Sequence, residues 1–167
     1  MNDAASSLKW TVTVFLLLSG IGFSVAALMS RERYGFDHAR TLVHYLGDET
    51  EGGMRLAMPY GQVIQTAHVH SFSMPLVFLA LWLGLHFVPL RPFLKKLLIG
   101  GGALSILLYN AAPFLVRYKS PHYVTLFTVG GIGLFFFFFL PAFLILYETW
   151  WGFSSEIKRK NLVTSRS

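Results

Sequence analysis

The sequence predicts an all-α fold: a polytopic membrane protein built as a four-transmembrane-helix bundle with one polar outer loop. Three observations carry this expectation. Hydrophobic residues make up 54% of the 167-residue chain and charged residues only 13%, against about 25% charge in an ordinary soluble domain. Four apolar stretches each reach the ~20 residues that a hydrocarbon core of about 30 Å demands. The basic residues gather at the ends of those stretches, where they act as topology signals. The formal charge of +6 therefore marks helix ends and does not point to a nucleic-acid partner.

The first span is expected over residues 8–29. Only Lys9 stands at its start, and it ends at Ala26-Ala27-Leu28-Met29-Ser30 without a clear small-x-small cleavage site, so it reads as a retained anchor. The polar stretch 30–60 follows, with Arg31, Glu32, Arg33, Asp37, Arg40, Asp48, Glu49, Glu51 and Arg55, and forms the outer loop. The second span is expected over 63–89. Pro75 lies inside it, removes one backbone donor and frees the Ser71 carbonyl, which predicts a kink.

After the basic segment from Arg91 to Lys96, the third span is expected over 97–116, with Gly100, Gly101 and Gly102 near its start and Pro113 near its end. The turn Arg117–Pro121 leads to the fourth span, 122–147, which holds Gly130, Gly131, Gly133, five phenylalanines from Phe135 to Phe139, and Pro141. Glycines in such spans permit close helix contact; the phenylalanine run reads as lipid-facing and packing surface. Trp150 and Trp151 suit the membrane interface. Residues 1–153 thus form one four-helix domain, and 154–167 a basic tail.

Orientation follows from the 14 Lys and Arg residues. Eight fall on the side of the termini (Lys9, Arg91, Lys95, Lys96, Lys158, Arg159, Lys160, Arg166) and six on the other, where five acids accompany them. The positive-inside rule puts both termini in the cytoplasm, and a bacterial inner membrane is the expected location.

The chain has no cysteine, which excludes disulfides, iron–sulfur clusters, thiolate zinc sites and covalent c-type haem. Ser–His–Asp spacing, phosphate-binding glycine loops and HExxH are also missing, so a stand-alone enzyme is not the expectation. No internal repetition speaks for a solute transporter.

Chemistry instead rests on the six histidines. His38 and His44 fall in the outer loop, His68 and His70 at the outer end of the second span, and His122 at the outer end of the fourth; His86 alone falls at the cytoplasmic end. Five imidazoles on one face can supply neutral nitrogen ligands to haem iron, copper or zinc. His68 and His70 point about 200° apart on a regular helix, so both cannot hold one ion unless the helix begins after them.

The sharpest reading is haem b near the outer face, with one axial imidazole from His68 or His70 and the other from His44 or His122, clamped between facing helices. His86 would then hold a quinone head group or a second haem. A bare divalent metal on His44, His68, His70 and His122 with loop carboxylates is the alternative. Interfacial histidines that merely satisfy helix-to-loop hydrogen bonds are the plainer one.

The segments from His44 to Glu49, from His68 to Pro75 and from Leu85 to Phe87 resemble a group of four-span proteobacterial membrane proteins found near respiratory and cytochrome c genes. The resemblance covers most of the chain after residue 35; the group is uncharacterised and has no settled activity to carry over, so the resemblance adds a little weight to electron transfer and does not establish haem. The HxH pair and later histidine are also similar to b-type cytochrome subunits in general. The sixteen-residue step from His70 to His86 departs from their same-helix ligand spacing and argues against two haems.

The function expected is a membrane subunit of a respiratory or redox assembly, carrying electrons between the quinone pool and an outer-face partner such as a periplasmic cytochrome. The alternatives are a non-catalytic structural or assembly subunit, contacting other membrane subunits, and a histidine/carboxylate metal-binding protein.

Overall fold

A computed structural model of the chain describes residues 2–34, 37–48 and 55–152. Helices α1 (Asn2–Tyr34), α3 (Tyr60–Leu85), α4 (Pro92–Tyr118) and α5 (Thr125–Tyr147) are the long elements; α2 (His38–Leu46) is short and lies between α1 and α3. A 3-10 turn, Pro121–Val124, leads into α5, and a π-helical turn, Glu148–Gly152, leaves it. Four helical segments are long and apolar enough to cross a bilayer, and no strand occurs among the described residues beyond one isolated bridge, Asp48 to Arg55. The expected four-span all-α architecture is therefore present.

Lipid offers no hydrogen bonds, so a polar group in a span is costly unless it finds a partner within the helix or its neighbour. The hydroxyls do so by bonding back one turn. Thr11, Thr13, Ser24, Ser73, Ser105 and Thr149 each donate to the carbonyl four residues earlier, at 2.7–2.9 Å.

Three boundaries differ from expectation. Helix α1 continues through Arg31-Glu32-Arg33; its 33 residues reach about 50 Å, so the charged turn clears a core of about 30 Å while its arginines meet the helix's negative end. Helix α4 begins at Pro92, because a proline at the first helical position lacks only a donor the helix would leave unused. Helix α3 starts at Tyr60 and stops at Leu85, which puts His68 and His70 inside regular helix and His86 at its cap. The tail 154–167 lies outside the described residues, as do Glu49 and Glu51 of the loop.

Small residues set the packing, as they must where lipid removes most of the hydrophobic drive between helices. Along the α4–α5 seam a side chain at Gly101 would collide with the Phe137 ring, one at Gly133 with the Ser105 hydroxyl, and one at Gly130 would come within 2.9 Å of the Tyr109 backbone nitrogen. Residues 101, 105 and 109 stand one turn apart, so each level of the seam pairs a small residue with a larger one. Helix α3 closes on both partners: Phe78 rests on Gly102, and Gly84 admits Ile145. Phe78, Leu81 and Leu85 are wholly buried. Helix α1 docks lightly through Leu16, its one buried described residue, through Phe23 stacked on Phe138 at 4.8 Å, and through the Trp150 Nε1–H donated to Thr13 Oγ1.

Candidate cofactor site at one end of the bundle

Helix α2 builds one end of the molecule. Asp37 accepts a hydrogen bond from the Ala39 amide and caps its start. Gly47 ends it at φ +85, the left-handed region; a side chain there would also lie 2.5 Å from the Arg55 carbonyl oxygen. The returning strand of loop is thereby held close: the Asp48 amide donates to Arg55 O and the Met58 amide to Tyr45 O. Arg117 Nε donates to Met58 O from the end of α4. Tyr45, buried between Val116 and Val124, anchors α2 across the ends of α4 and α5.

Each histidine now has a definite place. His38 Nε2 is 3.0 Å from Thr128 Oγ1 on α5. His44 is half-buried and its ring sits edge-on to Tyr45, with centroids 5.0 Å apart. His70 is half-buried on α3 and faces Tyr109 of α4, with centroids 6.4 Å apart. His68, about 200° away around the helix, is exposed. The 3-10 turn carries His122, which is exposed; its amide donates to Ser120 Oγ. His86 caps the opposite end of α3, exposed, with its carbonyl accepting from Lys95 Nζ.

A run of neighbouring rings connects two of these histidines. From His44 it passes through Tyr45, Phe127 and Tyr109 to His70, with successive centroids 5.0, 5.3, 5.7 and 6.4 Å apart. The fold thus resolves the sequence ambiguity at the HxH pair: His70 is the inward member. It separates His86 from the other five and leaves His68 turned outward. Among the described residues no three histidine or acidic side chains stand close enough to hold an ion together.

His44 has an electrostatic environment that keeps its ring neutral. Burial is the main cause, followed by the charges of Arg33 and Arg55, and together they lower its pKa below the ordinary 6.5. The unfolded chain would therefore take up a proton first as pH falls. Stability contributed here is complete above pH 6.5 and is lost as pH drops below it. Protection factors of the α2 amides, taken relative to intrinsic exchange at each pH, should be lower at pH 5.5 than at 7.5, and His44→Gln should flatten that difference. Equal protection of wild-type α2 at both values would contradict the assignment.

Sequence reasoning missed α2, Tyr45, Tyr109 and Phe127. Asp37 followed by Thr41, Leu42 and Tyr45, with Gly47 closing the run, was the available signal: a capped two-turn helix with one apolar face.

Four membrane-length helices with a histidine-bearing end define a small multi-span integral membrane protein. The family model described as Aq_1264_TM, a transmembrane helical domain, matches residues 35–156, and the chain belongs to that family. No curated protein and no solved structure matches it.

Proposed function

We propose that the chain is a membrane subunit of a respiratory or redox assembly, passing electrons between the quinone pool and a partner at the outer face through haem b. His70 would be the first imidazole to hold the haem, and His44 or His122 would offer the second. What carries this reading is the placement of His70: half-buried within a span and facing Tyr109 of α4, where a histidine is costly unless it has a function.

The donor chemistry fits the group. A neutral imidazole is the form that ligates iron. Porphyrin supplies four nitrogens itself, so it asks only one or two imidazoles of the protein, which suits histidines that stand singly. Haem would supply one-electron chemistry; the part of this chain is to present the nitrogens, exclude water with the Tyr45–Phe127–Tyr109 rings, and hold His44 unprotonated. The excess of basic residues on the side of the termini supports an inner-membrane orientation with both termini cytoplasmic. A second reading, a non-catalytic subunit, draws on the lightly docked α1, whose exposed face is free for a neighbouring helix.

Purified protein should show a Soret band and, on reduction, a sharp α band. His70→Ala should lose both while still inserting in the membrane, whereas His68→Ala should keep them. Wild-type protein without haem, or a full complement in His70→Ala, would overturn the proposal.

A further inference from the structure

We propose that the connection between α3 and α4 is a binding surface for acidic phospholipid, with Arg91 and Lys96 meeting the phosphate of the head and Phe87 and Phe93 seated at the boundary with the acyl chains. Three cations, Arg91, Lys95 and Lys96, stand within six residues here, and the chain has no Asp or Glu between Glu51 and Glu148. Arg91 and Lys96 are exposed, and among the described residues neither has an ion-pair partner. The opposite end of the bundle is mixed. Asp37 and Asp48 accompany its arginines, and Arg117 is engaged with Met58 O.

A closed turn holds the cations in place. The amides of His86, Phe87 and Val88 donate to the Leu83, Gly84 and Leu85 carbonyls at 3.1–3.2 Å, and the Leu90 amide donates to Val88 O at 2.8 Å. Val88 and Leu98 are buried in the core, one on each side of the basic run. Across the turn, Lys95 Nζ donates to the His86 carbonyl at 3.0 Å. An ammonium has three donors, so Lys95 adds its charge to the patch while bracing it.

The surroundings select a lipid as the occupant. Phe87 is 84% exposed and Phe93 73%, and rings so bare are favourable only where they enter the headgroup–acyl boundary. On α4, Lys96 is followed one turn later by Gly100, and Leu104 and Leu107 continue the same exposed side. A side chain at Gly100 would meet nothing within 4 Å, so an acyl chain can lie along this strip while the Lys96 stem reaches up to the phosphate. Charge selects the head. A zwitterionic head would bring its own ammonium among three cations, whereas an acidic head brings only negative charge, and the arginine fork suits phosphate oxygens. Glu148, an acid at this end, has its carboxyl group against Gly152 of the π-helical turn.

This surface does not depend on the redox reading above. The test is native mass spectrometry of detergent-solubilised full-length protein, titrated with phosphatidylglycerol and with phosphatidylcholine carrying the same acyl chains. Phosphatidylglycerol should bind more tightly. Arg91→Gln combined with Lys96→Gln should weaken its binding about twentyfold, from roughly fivefold for each cation beside an anionic head, and leave phosphatidylcholine unchanged. Arg40→Gln combined with Lys119→Gln, equally exposed at the other end, should alter neither lipid. Equal binding of the two lipids by the natural chain, or a preference that survives the loss of Arg91 and Lys96, would overturn the proposal. So would binding of inorganic phosphate or polyglutamate without preference between the lipids, which would assign the patch to a free anion or an acidic protein.

Discussion

Replacing Gly130 with leucine is expected to separate α4 from α5 and to be the most damaging single change in the bundle. Even the first carbon of a side chain there would lie 2.9 Å from the Tyr109 backbone nitrogen and 3.1 Å from its Cα. Those atoms belong to a helix backbone and cannot rotate aside, so one helix must shift as a body. Overpacking of a close-fitted interior costs about 1–3 kcal/mol, and leucine should reach or exceed the upper end. The neighbours supply the controls. A methyl at Gly131 would meet Tyr109 Cε2 at an ordinary 3.7 Å, and one at Gly100 would meet nothing within 4 Å. Thermal unfolding in detergent should therefore show a large drop for Gly130→Leu and little change for Gly131→Ala or Gly100→Ala. Similar stabilities for all three would mean that the seam is not closed as described.

Phe78→Ala is expected to be the second largest. Its ring is wholly buried, lies on Gly102 of α4, and meets Phe138 of α5 and Trp82 at centroid distances of 6.3 and 6.0 Å. In a water-soluble core this change costs about 3–5 kcal/mol. Much of that figure is transfer from water to oil, and it does not apply when the separated helices remain in lipid. What remains is the void and its lost dispersion contacts, on the order of 2 kcal/mol. Phe78→Leu, which refills most of the space, should recover the larger part. A loss as large as the water-soluble figure would show that α3 leaves the bilayer on unfolding.

The long helices were legible in the sequence because their signal is cumulative: twenty apolar residues in a row admit few other structures. Their ends were less so, since α1 extends into charged residues once it has cleared the hydrocarbon, and no hydropathy pattern announces that. Helix α2 escaped because nine residues embedded in a charged loop look like loop unless the Asp37 and Gly47 caps are read together. The histidine end was visible as a grouping along the chain. Which histidines face inward was not, because His68 and His70 differ only in azimuth, and azimuth is set by where α4 lies. The pairing of Asn110 with Met74, and the approach of Trp82 to Gly102, depend on the register between two helices and leave no local trace.

Everything said of the site requires that α2 and the Pro121–Val124 turn share one side of the membrane, opposite the α3–α4 connection. The natural chain lacks cysteine, so single cysteines at the exposed positions Arg40, Tyr123 and Phe87 can be probed without background, using a membrane-impermeant maleimide on intact spheroplasts and on inverted vesicles. Arg40→Cys and Tyr123→Cys should label in the same preparation and Phe87→Cys only in the other. Labelling of Arg40→Cys and Tyr123→Cys from opposite sides, or of Phe87→Cys together with both, would contradict the four-span arrangement and the imidazole site built on it.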